Sequence, residues 1–229
     1  MEILDQLKYA RALVVLQKRF ESFDLTLEMG RNFKHFRALV DALDDRDLSD
    51  QFNLAHEKLL PTNSFWVVLR DRAEAVIGVL AAKFDDIGPR ALSDHWQVDQ
   101  PRMYRENAGG LIEFEAVQSR AARAISGRVA YVGDLWVRKD RRKTGVSGDL
   151  SKLVQVIALQ IWQPDTIYAF VHNVGVTRGL AAHFGFCHQY PVGIRWRSNP
   201  RQLLPDNWLV CNHRPDLLDL IDLLADSPE

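Results

Sequence analysis

Cysteine is scarce in this chain: Cys187 and Cys211 are the only two among 229 residues. Two thiols make no disulfide framework, and a chain of this length buries enough surface to fold without one. That usage suits a reducing compartment, so a cytoplasmic location is expected. Charge of one sign is also missing. Lys and Arg number 29 and Asp and Glu 30, for a net charge of -1, which gives no global pull toward nucleic acid. Any anion site has to be local. Long apolar runs are absent as well. No stretch approaches the roughly 20 residues that span a bilayer, and residues 1–5 lack the basic start and apolar run of a signal peptide. The expectation is a soluble protein with no membrane partner. Metal-ligand spacing is lacking too: His183, Cys187 and His188 lie close together without a fourth clustered ligand, so no metal is expected. Cys187 as a nucleophile has no more support than a buried thiol. Without repeats, low-complexity tracts or a linker, one domain over residues 1–229 is the simplest organisation.

Periodicity supplies the elements. Leu4, Leu7, Leu13, Leu16 and Phe20 fall near helical spacing, so residues 3–20 read as an extra amphipathic helix at the N-terminus. Residues 23–29 alternate apolar and polar side chains as a half-buried strand does, and residues 32–43 return to helical spacing. Residues 65–70 and 75–84 read as two strands joined by a short polar turn, an antiparallel hairpin. Residues 85–127 form an insertion with weak periodicity, of which 111–125 reads as a helix. Segments of this kind often serve as lids or substrate loops. Residues 129–137 then form a strand. Leu150, Leu153, Val154, Ile157, Ala158 and Ile161 mark a strongly amphipathic helix. A buried strand follows at 166–171, then a shorter helix at 176–184, strands at 187–196 and 207–212, and a closing helix at 217–224.

Chemistry is concentrated where the strand at 129–137 gives way to the long helix. The turn reads Arg142-Lys143-Thr144-Gly145-Val146-Ser147-Gly148. The first N–H groups of a helix lack intrahelical partners, and the helix dipole adds partial positive charge there. Phosphates bind readily at such a place. Gly145 and Gly148 allow close backbone approach, and Arg142 offers charge-assisted hydrogen bonds. A solvated basic turn is the plain alternative, and Arg141 and Lys143 fit an outer screening role equally well. The turn has neither the order of a Walker loop nor the glycine pattern of a dinucleotide fold.

Arg142-x-x-Gly145-x-Ser147 resembles the Arg/Gln-x-x-Gly-x-Gly/Ala acyl-CoA signature of the GNAT superfamily of N-acetyltransferases. Gly133-Asp134-Leu135-Trp136-Val137 is similar to that family's fourth strand. Residues 167–171, Asn173 and Phe184-Gly185-Phe186 are similar to its fifth strand, its Asn and its closing Gly-Phe. The resemblance runs from Val129 to Phe186 and is only architectural from Phe23 to Phe84. It implies an α/β (α+β) fold: a mixed, mostly antiparallel central sheet flanked by helices, splayed between the fourth and fifth strands. It also implies acetyl-CoA as co-substrate, with the pyrophosphate at residues 142–148, the pantetheine arm along Leu135, Trp136 and Val137, and Asn173 nearby. The implied reaction is direct attack on the thioester by an amine on a small molecule or peptide. The alternative is an acyl-CoA-binding module without catalysis. Two departures stand out. Ser147 replaces the second Gly or Ala, and Ala181 occupies the place of the Tyr that often protonates the departing thiolate.

An ammonium must lose a proton before attack, so a carboxylate base is expected. Asp134 alternates with Val132 and Trp136 on a central strand, an unusual place for a charge unless it is paired or functional. Pairing with Arg138 is the plain reading, and the base the functional one. Glu113 and Glu115 are weaker candidates. His183, His188 and Tyr190 are candidate acids in a site without the usual Tyr, although each has an ordinary structural explanation. Trp96, Met103 and Tyr104 are candidates to line an acceptor pocket. A homodimer is compatible with the sequence and not required by it.

Overall fold

A computed structural model describes residues 5–43, 46, 48–103, 112–197 and 206–227. The chain opens with α1 (Gln6–Glu21), whose N-cap Asp5 accepts from the amides of Leu7 and Lys8. Strand β1 (Thr26–Gly30) and helix α2 (Phe33–Asp41) follow. The expected hairpin is β2 (Ser64–Arg70) and β3 (Val76–Asp86), paired antiparallel.

The insertion is less helical than its composition suggests. Helix α3 (Leu92–Met103) and a single turn, α4 (Arg120–Ala124), are its helices among the described residues. Residues 113–115 are extended instead, with Phe114 bridged to Trp196 and Glu113 ion-paired to Arg197. The period-3.6 reading of 111–125 fails because Phe114 and Ile112 pack on Trp196 rather than along a helix face.

Strand β4 (Arg128–Val137), helix α5 (Val146–Trp162) and strand β5 (Thr166–His172) form the parallel crossover, which needs an intervening helix of this kind. Two short helices, α6 (Asn173–Thr177) and α7 (Leu180–His183), replace the single one expected at 176–184, because Gly179 in left-handed backbone separates them. The strand expected over 187–196 is confined to β6 (His188–Tyr190). Strand β7 (Asn207–His213) and helix α8 (Arg214–Ala225) complete the chain.

The seven strands among the described residues lie in the order β1-β2-β3-β4-β5-β7-β6. Only β4 and β5 run parallel. This is the mixed, mostly antiparallel, helix-flanked sheet that was expected. One face buries Leu16, Phe20, Leu150, Val154 and Ile221 beneath α1, α5 and α8. The other buries Phe33, Phe36, Phe52, Trp96 and Tyr168 beneath α2, α3 and the neighbouring loops. Among the described residues no helix is long and apolar enough to cross a membrane.

Candidate active site

The splay between β4 and β5 has a visible cause. The two strands pair only through Val129–Thr166, Ala130–Ile167 and Tyr131–Tyr168. Beyond Tyr131, β4 stays with β3 but slips register: Val79 faces Trp136 while Ala81 faces Gly133. Asp134 and Leu135 therefore share one position opposite Leu80, the two-against-one count of a β-bulge, which bends its strand. Asp134 has φ +61°, a left-handed conformation that Asp tolerates better than most residues. Meanwhile β5 remains paired with β7 as far as His172–Asn207. The strands part, and a cavity of about 370 Å³ opens between them. Tyr131 to Leu135 line one wall and Ala169 to His172 the other, with Ser151, Gly175, Leu180, Phe184 and Phe186 beneath.

The bulge also changes the expected alternation. Val132 packs into the core under α5 whereas Trp136 packs into the opposite core, so the two do not share a face. Asp134 is turned instead toward the loop after α2. Its side chain is only 4% exposed and pairs with Arg46 at 3.0 Å rather than with Arg138. Arg138 is engaged by Asp140 and Asp71. The Ser49 hydroxyl donates to Asp134 Oδ2 at 2.8 Å, and the Ser49 amide lies 3.2 and 3.3 Å from the two oxygens. Arg46, the Ser49 amide and the Ser49 hydroxyl together place two hydrogen-bond contacts on each carboxylate oxygen, which fills the roughly four acceptor sites of the group. Burial pushes the Asp134 carboxyl above its ordinary range, against the pull of Arg46 and Ser49. Burial likewise lowers Arg46.

Helix α5, which reaches the cavity at Ser151, is N-capped by Gly145, which has φ +96° and open space where a Cβ would stand. The backbone N–H groups of Lys143, Thr144, Gly145, Val146 and Ser147 have no hydrogen-bond partner among the described residues. Lys143 is itself left-handed, with φ +70°. Successive amides presented this way make an anion-binding concavity. Arg142 donates from Nε to the carbonyl of Val137 at 2.9 Å, strapping the turn to the end of β4 while its side chain stays exposed. Thr144 spends its hydroxyl on the Arg141 carbonyl. Ser151, at the cavity floor, sits five residues into the helix from Val146, about 7.5 Å at the usual helical rise.

The other sequence candidates fall in different places. Leu135 lines the cavity, while Trp136 and Val137 pack into the protein. Gly148 faces His183: a Cβ there would lie 2.7 Å from both the imidazole and the His183 carbonyl. That glycine therefore serves close packing, and the open corner belongs to Gly145. His183 contacts Ser147 Oγ at 3.3 Å, beside the helix start and outside the cavity lining. Tyr190 lies on β6, separated from β5 by β7, where it stacks on His188; it does not reach the cavity. His188 is paired with Asp216 at 3.0 Å. Asn173 accepts from Trp208 Nε1 at 3.0 Å and is likewise not part of the lining. Ala181 is fully buried. Trp96 is core, packed on Tyr168 and Phe170. The Met103 side chain and Tyr104 lie outside the described residues.

Two cavity residues escaped the sequence reading. Arg46 belongs to an acidic, unpatterned stretch, and nothing in its spacing foretells a contact across 88 positions. His172 ends β5 with Nε2 3.1 Å from Asp206. Its place directly before Asn173 was the available signal. A third omission supports the site from below. Gln155 and Asn212 are fully buried, and Asn212 donates to Gln155 Oε1 and to the Gly185 carbonyl while accepting from the Cys187 amide. Gln155 in turn donates to the Phe184 carbonyl. This network fixes the Phe184-Gly185-Phe186 turn against α5.

No protein-family model matches the chain, and no curated protein matches it. Among solved structures the chain is similar to NAA60 of Arabidopsis thaliana in complex with acetyl-CoA, with 15% identity over 82% of this chain and 98% of that one and a TM-score of 0.47. It is also similar to spermidine N-acetyltransferase from Vibrio cholerae in complex with CoA and spermine, with 12% identity over 86% of this chain and 99% of that one and a TM-score of 0.47. At this identity and overlap, the functional case rests on the site's own geometry.

Proposed function

We propose that the chain is an acyl-CoA-dependent N-acyltransferase with acetyl-CoA as donor and a small-molecule or peptide amine as acceptor. One observation carries this reading. Five backbone amides without partners among the described residues stand at the start of α5, the helix whose Ser151 lines the cleft where β4, bulged against β3, parts from β5. A pyrophosphate suits the amides, and a linear thioester arm suits the cleft beside Leu135.

In this reading the acceptor nitrogen attacks the thioester carbonyl directly. The amide bond forms, the C–S bond breaks, the sulfur leaves with the bonding pair, and the proton that the nitrogen sheds on becoming an amide ends on that sulfur, giving the free thiol. Asp134 takes the proton that the ammonium must lose: it lines the cavity, and burial raises its carboxyl above the ordinary range, which makes it a stronger base than an exposed Asp. No phenol stands at position 181 to reprotonate the thiolate.

Calorimetry with CoA tests the donor site. Saturable binding is expected, and Arg142→Ala should weaken it by about 1.5–3 kcal/mol, the worth of a charged hydrogen bond. Absence of any CoA binding by the unaltered protein would overturn the proposal. Thiol release from acetyl-CoA over a panel of amines then separates an enzyme from a binding module.

A further inference from the structure

The cavity has an electrostatic character that selects among amines. Its described lining residues with formal charge are Arg46 and Asp134, which neutralise each other, and the His172 imidazole is matched by Asp206 at 3.1 Å. A polyamine, which brings several positive charges, finds no surplus carboxylate among the described lining residues. Arg46, in contrast, is underused. One terminal nitrogen bonds Asp134, but Nε is buried and has no hydrogen-bond partner. A buried guanidinium N–H without a partner is costly, and a carboxylate meets the guanidinium fork better than any other small group.

We infer that the acceptor carries a carboxylate within a few bonds of its reacting amine, as α-amino acids do, and that Arg46 holds it. This rests on the acyltransfer reading and narrows its substrate. The geometry is self-consistent. A carboxylate on Arg46 places an adjacent amine beside Asp134, whose Oδ1 lies 3.0 Å from Nη2 of the same guanidinium. One ion pair would then both fix the acceptor and present its ammonium to the base. The rings of Tyr131 and Phe170 on the two walls, with centroids 6.0 Å apart, offer an apolar surface for the rest of the molecule.

The test compares free amino acids with their α-carboxamides, which keep the amine and the side chain but lose the anion. With saturating acetyl-CoA, kcat/KM for the free acid should exceed that for the amide by about 10- to 100-fold. Arg46→Lys keeps a counter-charge for Asp134 but removes the Nε–H, and should bring that ratio down toward one, mainly through KM. Its fold is checked by circular dichroism. Should the protein bind CoA without measurable turnover, calorimetry of acid against amide on the CoA-loaded protein gives the same comparison. Equal or better use of the amides, a preference for spermidine over amino acids, or an unchanged ratio in the Arg46→Lys protein would each overturn the inference while leaving acyl transfer standing. Failure to bind CoA at all would instead remove the acyltransfer reading, and this inference with it.

Discussion

A single residue, Asp134, links the backbone and the chemistry of this site. Its left-handed conformation lets two residues of β4 share one position against β3, and the resulting bend separates β4 from β5. The same conformation swings the carboxylate out of the α5-side core toward Arg46 and Ser49. Asp134→Asn keeps the shape and tolerates the left-handed backbone but removes the proton-accepting oxygen and the counter-charge of Arg46. With acetyl-CoA and a reactive amine, kcat should fall by about 10²-fold or more, while CoA affinity stays close to that of the unaltered protein. Steady-state kinetics with parallel calorimetry reads both quantities, and undiminished kcat would exclude Asp134 as the base.

At the scale of elements, the site depends on α5 being held in register with the turn that follows α7. Gln155 and Asn212 do this from within the core, where each lost partner leaves a desolvated polar group behind. Asn212→Ala would strand Gln155 Oε1 and the Cys187 amide together. The expected destabilisation is about 2–5 kcal/mol, roughly the penalty for two buried groups without partners, measured as a shift in the urea midpoint. A loss below about 0.5 kcal/mol would show that the network contributes no more than a surface contact. Because Phe184 and Phe186 line the cavity, acceptor KM should rise in the same variant before the fold is lost.

For the whole molecule, the response to pH follows from the junction of β5, β7 and α8. Burial, with a smaller contribution from neighbouring His188, lowers the pKa of His213 below its ordinary value of 6.5. The unfolded chain therefore binds more protons than the folded one between the two pKa values, and stability rises with pH across that window. The stabilisation is complete above about pH 6.5 and erodes as the pH falls below it. Urea midpoints at pH 7.5 and 5.5 should differ in that direction, and His213→Gln should flatten the difference. An unaltered slope in that variant would assign the effect to other groups. His213 also bonds Thr166, the first residue of β5, so acid loosens the sheet beside the shared β4–β5 register.

The order of elements, the long amphipathic α5 and the glycine-bearing turn before it were legible in the sequence, because local periodicity and turn chemistry fix them. The expected mixed sheet and its split also hold. The composition of the cavity was not legible. Arg46 and Asp134 are 88 positions apart, and a bulge that adds one residue to β4 reverses the alternation from which an inward or outward side chain is read. Likewise Gly148 and Gly145 look equivalent in the chain, yet His183 folds back onto one and leaves the other open. The sequence by itself determined which segment presents unpaired amides at a helix start, since that is a local property. Only the tertiary structure decided which charges meet inside the cleft, since that depends on where distant segments come to rest against a bent strand.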